Sequence, residues 1–210
     1  MLDVPEYAQL LVTLLAITNP LGKIPVFNAL AGHHPAAVKH RIALIAAGSV
    51  VAILLVSFVV GEVVLKALGI TIPAFRIAGG LLLLLSALTM MSGSDSGPAP
   101  TAATVPHGDA AALAVVPLAI PLLAGPGAIS TVIVYAHRHT SINHMLLVAA
   151  AVVSVGAVIL VIFRLAPLLA SVLKRTGMNV ATRITGLLIA ATGVEFIVDG
   201  LAHLFPGLLK

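Results

Sequence analysis

The sequence predicts an all-α membrane protein of six transmembrane helices, built as two inverted three-helix repeats whose first helices are each broken at Pro and Gly. Three observations carry this. The 210 residues are 60% hydrophobic and 9% charged, with a mean hydropathy of +1.18, whereas a soluble domain carries about 25% charged residues. The apolar residues come in runs near the ~20 residues that a hydrocarbon core of about 30 Å requires. Two of these runs, in matching positions of the two halves, contain helix breakers at their centre.

Taken in order, the first expected span covers roughly 7–31 and is interrupted by Ile17-Thr18-Asn19-Pro20-Leu21-Gly22-Lys23-Ile24-Pro25. Proline lacks an N–H and clashes with the preceding turn. Irregular backbone at membrane depth survives only where protein or a wet cavity covers it. The second and third spans are expected at roughly 42–65 and 72–91. A Gly, Ser, Pro, Ala and Thr-rich string, about 92–111, has no Lys or Arg and reads as the linker between halves. The fourth span, roughly 112–135, repeats the interruption as Pro117-Leu118-Ala119-Ile120-Pro121-Leu122-Leu123-Ala124-Gly125-Pro126-Gly127. The fifth and sixth are expected at roughly 145–169 and 183–204. Together these form one membrane domain over 1–210, with repeat 1 at about 7–91 and repeat 2 at about 112–204.

The halves align by their rare residues. Pro20 and Pro126 are 126 − 20 = 106 apart, and Arg76-Ile77-Ala78-Gly79-Gly80 echoes Arg183-Ile184-Thr185-Gly186-Leu187 at 183 − 76 = 107. Three spans per half is an odd number, so consecutive halves must be inverted. Lys39, Arg41, Lys174 and Arg175 fall on one side, and Lys66, Arg138 and Lys210 on the other. Lys and Arg favour the cytoplasm, which places both termini outside. The acidic start, Met1-Leu2-Asp3-Val4-Pro5-Glu6, has no basic region, so the first span is expected to be retained.

Matched broken spans point to a transporter's binding site. Asn19-Pro20 and Gly125-Pro126-Gly127 read as helix starts, with Asn as N-cap and Pro at the first helical position. Such starts offer free N–H groups and the positive end of a half-helix dipole, which suit a carboxylate. Gly22, Gly125 and Gly127 allow close backbone approach, while Thr18, Ser130 and Thr131 supply hydroxyls. A small amphiphile such as an amino acid fits. The bland alternative, two kinks serving helix packing, suits one break better than a matched pair. Lys23 either meets a substrate carboxylate or replaces a cation, or it snorkels to the surface.

Glu195 and Asp199 share one helical face. Inverted topology puts the start of the third span beside the end of the sixth, so Arg76 is expected to pair with Asp199 in a structural or gating ion pair. Arg183 lies about 24 Å from Asp199 along its own helix. Glu195 is then a candidate proton carrier, or a buried neutral carboxyl with a structural role. Glu62 is expected at the interface.

Other chemistry is thin. The chain has no cysteine, so thiolate metal sites and cysteine nucleophiles are excluded. The net charge of +4 is dispersed, without the clustered patch that nucleic acid needs. His33, His34, His40, His137, His139 and His144 read as solvated loop residues, not as one metal site. No cofactor is expected.

Ile17-Thr18-Asn19-Pro20-Leu21-Gly22-Lys23-Ile24-Pro25-Val26-Phe27 resembles the opening motif of the MarC family, also called the neutral amino acid transporter family. Ile72-Pro73-Ala74-Phe75-Arg76-Ile77-Ala78-Gly79-Gly80, Pro121-Leu122-Leu123-Ala124-Gly125-Pro126-Gly127-Ala128-Ile129-Ser130, and Arg183-Ile184-Thr185-Gly186-Leu187-Leu188 with Phe196-Ile197-Val198-Asp199-Gly200 resemble its later motifs. The resemblance implies a six-span prokaryotic inner-membrane protein taking up small neutral amino acids with a coupling H⁺ or Na⁺. Glu195 stands where that family commonly has Gln. The rival readings are an exporter of amino acids or drug-like amphiphiles, a non-transporting scaffold, and an intramembrane enzyme, for which no nucleophile or metal set is recognisable. A homo-oligomer is compatible with all of them.

Overall fold

The computed structural model describes residues 4–32, 34–92, 119, 123–136 and 141–205. The expected linker and most of the first part of the fourth span lie outside the described residues, as do His33, His137 and His139. Every regular element among the described residues is a helix: α1 (Val4–Thr18), α2 (Ile24–Ala31), α3 (Ala36–Ala67), α4 (Ile72–Ser92), α5 (Pro126–Ala136), α6 (Ile142–Arg164) and α7 (Ala166–Leu204). Among the described residues, four stretches are long and apolar enough to cross a membrane: Ala36–Ala67, Ile72–Ser92, Ile142–Arg164 and Asn179–Leu204. The shorter apolar helices Glu6–Thr18 and Pro126–Ala136 each adjoin a break.

Local chemistry sets the ends. Helix α3 stops at Gly69, whose φ of +68° is open to glycine at little cost. There the Ile70 N–H reaches back to the Leu65 carbonyl at 2.9 Å and the Gly69 N–H to that of Lys66 at 3.0 Å, which satisfies two of the last turn's acceptors. Helix α6 begins at Ser141, whose hydroxyl accepts from the His144 N–H at 3.2 Å.

The boundary between the last two helices corrects the sequence reading. A loop was expected around Lys174 and Arg175, after a fifth span ending at 169. Instead α6 ends at Arg164, the chain turns at Leu165, and α7 is helical throughout Ala166–Leu204. Pro167 sits in the first turn of α7, where its missing N–H leaves no bond unmade. The polar run that follows contains no proline, so nothing in it stops a helix. Polarity alone was mistaken for a loop.

The main core joins stripes at helical spacing. Leu10 and Leu14 of α1, Ile42, Ala46, Val50 and Leu54 of α3, and Val148, Val152, Val155 and Ile159 of α6 are all fully buried. The rings of Phe27 on α2 and Phe163 on α6 stack at 4.5 Å, which holds the short α2 in place. The opposite faces carry exposed Val59, Val63, Leu146, Leu187 and Leu188. So much outward apolar surface fits a lipid environment.

A second, tighter contact joins α4 and α7 in antiparallel fashion. A Cβ at Gly80 would stand 2.5 Å from the Gly193 carbonyl oxygen, and one at Gly193 2.8 Å from that of Gly80. A Cβ at Gly200 would stand 2.8 Å from the Pro73 carbonyl, and one at Gly186 3.2 Å from that of Ala87. Along α7 the contacts recur every seventh residue at Gly186, Gly193 and Gly200, facing Pro73, Gly80 and Ala87. That repeat keeps one seam of each helix facing the other. Only small residues let backbones come this close.

Candidate functional site

The first break is built around Asn19. Its backbone has a φ of +40°, and its N–H donates to the Leu15 carbonyl at 3.0 Å, closing α1. Asn was expected to start the second half-helix as an N-cap in extended conformation. It instead ends the first one, because a short polar side chain tolerates the left-handed region. Its side chain still caps forward: Oδ1 accepts from the Gly22 N–H at 3.1 Å. Between them Pro20 to Lys23 form a tight turn, with Lys23 N–H to Pro20 carbonyl at 3.3 Å and Ile24 N–H to Leu21 carbonyl at 3.2 Å. Helix α2 therefore begins at Ile24, four residues later than Pro20, and Pro25 falls within its first turn.

The second break follows the sequence reading. Gly125 precedes α5, Pro126 is its first residue, and the Gly125 carbonyl accepts from Ala128 and Ile129 at 3.0 and 3.1 Å. Just upstream the Ala124 N–H reaches the Ala119 carbonyl at 2.9 Å, a widened turn of the kind found in π-bulges.

The two breaks lie side by side. A Cβ on Gly127 would meet Ile17 at 3.5 Å and Leu83 of α4 at 2.5 Å, so the start of α5 sits between the end of α1 and the middle of α4. A Cβ on Gly79 would stand 2.6 Å from Oγ of Ser130. One on Gly22 would collide with Nδ2 of Asn19 and stand 2.9 Å from Oγ1 of Thr182 on α7. Thr182 was not singled out in the sequence; its distance from the break, 160 positions along the chain, hid it. The hydroxyl protons of the expected polar residues are spent within their own helices. Thr18 donates to Leu15 at 3.3 Å, Ser130 to Pro126 at 2.8 Å, and Thr131 to Gly127 at 2.8 Å. Toward a ligand these hydroxyls can only accept.

Arg76 and Asp199 pair as expected, Nη1 to Oδ2 at 3.3 Å, with the arginine side chain 13% exposed and the aspartate 49%. Glu195 departs from the buried reading. It lies on the outer face of α7 between exposed Val194 and Val198, because it stands two residues after Gly193 and five before Gly200, which turns it to the side of the helix away from the seam. Lys23 is half-buried. Glu62 pairs with Lys66 one turn later, beside an open cavity of about 320 Å³ at the α3–α4 turn, well outside the breaks.

His144 is the residue that the sequence misread most. It is 1% exposed. The Tyr135 carbonyl lies 2.8 Å from its Nε2, and a carbonyl only accepts, so that nitrogen donates. In the neutral ring Nδ1 then accepts from the Tyr7 hydroxyl at 2.9 Å. One imidazole thus ties α1, the end of α5 and the start of α6. Its place as third residue of a helix, three after a capping serine, was the available signal.

Over residues 4–205 the sequence matches the family described as "MarC family integral membrane protein". It is 41% identical to "UPF0056 membrane protein YhcE" of Escherichia coli (strain K12), covering 99% of this chain and 97% of that protein. It is 36% identical to a "UPF0056 membrane protein" of Aquifex aeolicus (strain VF5), covering 94% and 93%. It is 33% identical to "UPF0056 membrane protein YvbG" of Bacillus subtilis (strain 168), covering 93% of each. No solved structure matches.

Proposed function

The chain belongs to the MarC family of integral membrane proteins, and on that premise we propose that it is a secondary transporter of small neutral amino acids. It works by alternating access in a prokaryotic inner membrane and couples to H⁺ or Na⁺. The observation that carries the reading is the meeting of the two breaks, with Ile17 of the first against Gly127 of the second. Half-helix ends brought together at a repeat interface are where transporters of this architecture bind substrate. Asn19, Pro20, Gly22 and Lys23 line one side, and Gly125, Pro126, Gly127, Ser130 and Thr131 the other. Arg76, Glu195 and Asp199 serve gating or coupling.

We also propose that six spans form an inverted repeat. Support comes from the antiparallel packing of α4, the third expected span, on α7, which contains the sixth: Gly80 lies against Gly193 and Ala87 against Gly186. Two inverted three-span halves place their last helices antiparallel in this way.

The test is thermal stability of the detergent-purified protein against an amino-acid panel, with and without sodium and at two pH values. A ligand that binds only the folded state raises Tm with concentration. A saturable shift with glycine or alanine supports the reading; a folded protein that no amino acid stabilises removes it. Flux in vesicles then separates uptake from export.

A further inference from the structure

We propose that the outer face of α7 docks against a second copy of this chain, with Glu195 meeting the partner's Glu195 across a two-fold axis along the membrane normal. Helix α7 carries two stripes on opposite sides. Gly186, Ile189, Gly193, Phe196 and Gly200 are buried, and the three glycines among them form the seam against α4. Ile184, Leu188, Ala191, Glu195 and Val198 follow one another at steps of 4, 3, 4 and 3, and all five are exposed. That spacing suits a second helix seam, one that α4 does not fill.

Glu195 is the member that requires a partner. It lies in the span Asn179–Leu204, 204 − 195 = 9 residues from the nearer end, or about 13 Å along the helix. A hydrocarbon core of about 30 Å puts that depth near its middle, out of a short side chain's reach of the surface. Ionisable groups at such depth face the protein interior, a wet cavity or one another. Glu195 instead points outward between exposed Val194 and Val198. Among the described residues no hydrogen bond or ion pair reaches its carboxyl. Arg76 and Asp199, one turn away, pair with each other. Acyl chains offer neither donor nor acceptor.

A second copy supplies what is missing. Copies inserted in one orientation run their α7 helices parallel, so equal positions of the seam face each other. A carboxyl that keeps its proton is donor and acceptor at once, so two of them complete each other. Ala191, one turn before, lets the helices come close. A single polar position in an apolar seam also fixes its register. The interface is independent of what the protein carries at its breaks.

The chain has no cysteine, so single cysteines report contact between copies directly. Full-length Ala191→Cys and Val198→Cys are oxidised in native membranes, beside Val59→Cys on α3 and Val153→Cys on α6, both at exposed positions. A disulfide needs Cα atoms within about 7 Å, so the α7 variants are expected to run as covalent dimers and the other two as monomers. Glu195→Leu in the Ala191→Cys background is expected to lose most of the cross-link. Glu195→Gln, whose amide also donates and accepts, is expected to keep it. The cysteine comparison leaves Glu195 in place and does not depend on either variant folding. No cross-link at Ala191 and Val198, or one equally strong at Val59 or Val153, overturns the interface. A cross-link undiminished by Glu195→Leu overturns the carboxyl pair as what joins the copies.

Discussion

Arg76 and Asp199, 123 positions apart in the sequence, form an ion pair at 3.3 Å that joins the start of α4 to the end of α7. The pair lies beyond the Gly80–Gly193 contact, at the end of the seam. Asp199→Asn removes the carboxylate facing a largely buried guanidinium. Its pairwise coupling with Arg76→Gln is expected to be on the order of 1 kcal/mol, since the aspartate is half exposed and solvent screens it. A double-mutant cycle on thermal stability measures it; additive effects would mean that the pair contributes nothing.

The seam itself makes a sharper expectation. Gly80→Ala would drive a methyl to within 2.5 Å of backbone on α7, which cannot yield without separating the helices. It is expected to destabilise by about 1–3 kcal/mol. At Gly48 on α3 nothing lies within 4 Å of an added Cβ. Gly48→Ala is expected to stabilise by about 0.5–1 kcal/mol through helix propensity alone. Opposite signs in the two melting curves are the readout.

Tyr7→Phe removes the hydrogen bond to His144, for an expected loss of about 0.5–1.5 kcal/mol. His144→Ala removes the bonds to Tyr7 and to the Tyr135 carbonyl and leaves a cavity among α1, α5 and α6, so the loss is expected to be larger. Amide hydrogen exchange would locate the effect. Faster exchange at the start of α1 in both variants is expected, and unchanged exchange there would show that the imidazole does not hold α1.

Glu195→Gln changes a residue on the outer face of α7, away from the seam. Stability in detergent is expected to stay within about 0.5 kcal/mol. Under the coupling role proposed above, the pH dependence of uptake in vesicles is expected to flatten. A variant with the parent's pH profile would release Glu195 from coupling.

Much of this was legible because membrane helices are punctuated by few residues. Pro20, Gly22, Gly125 and Pro126 marked both breaks, since a proline inside an apolar run has few other meanings. Arg76–Asp199 was legible once the topology was written down. What stayed hidden depended on distant partners. His144 looked like its loop neighbours until Tyr7, 137 positions away, came to its ring. Asn19 was assigned to the wrong helix end because the same side chain suits both an N-cap and a left-handed C-terminal residue. The glycines at 186, 193 and 200 were visible at a spacing of seven, but apolar composition masked the pattern.

Helix α7 runs unbroken for 39 residues, about 58 Å, roughly twice the thickness of a hydrocarbon core. It touches the first break at Thr182 and the ion pair at Asp199, and leans on α4 at Gly193 between them. Leu84, Phe196 and Ile197 interlock around that central contact, and Gly186 and Gly200 close against α4 on either side of it. Three contacts along one seam leave no single point about which the rod can pivot. A movement of α4 therefore carries the last helix with it, and with that helix both Thr182 and the ion pair.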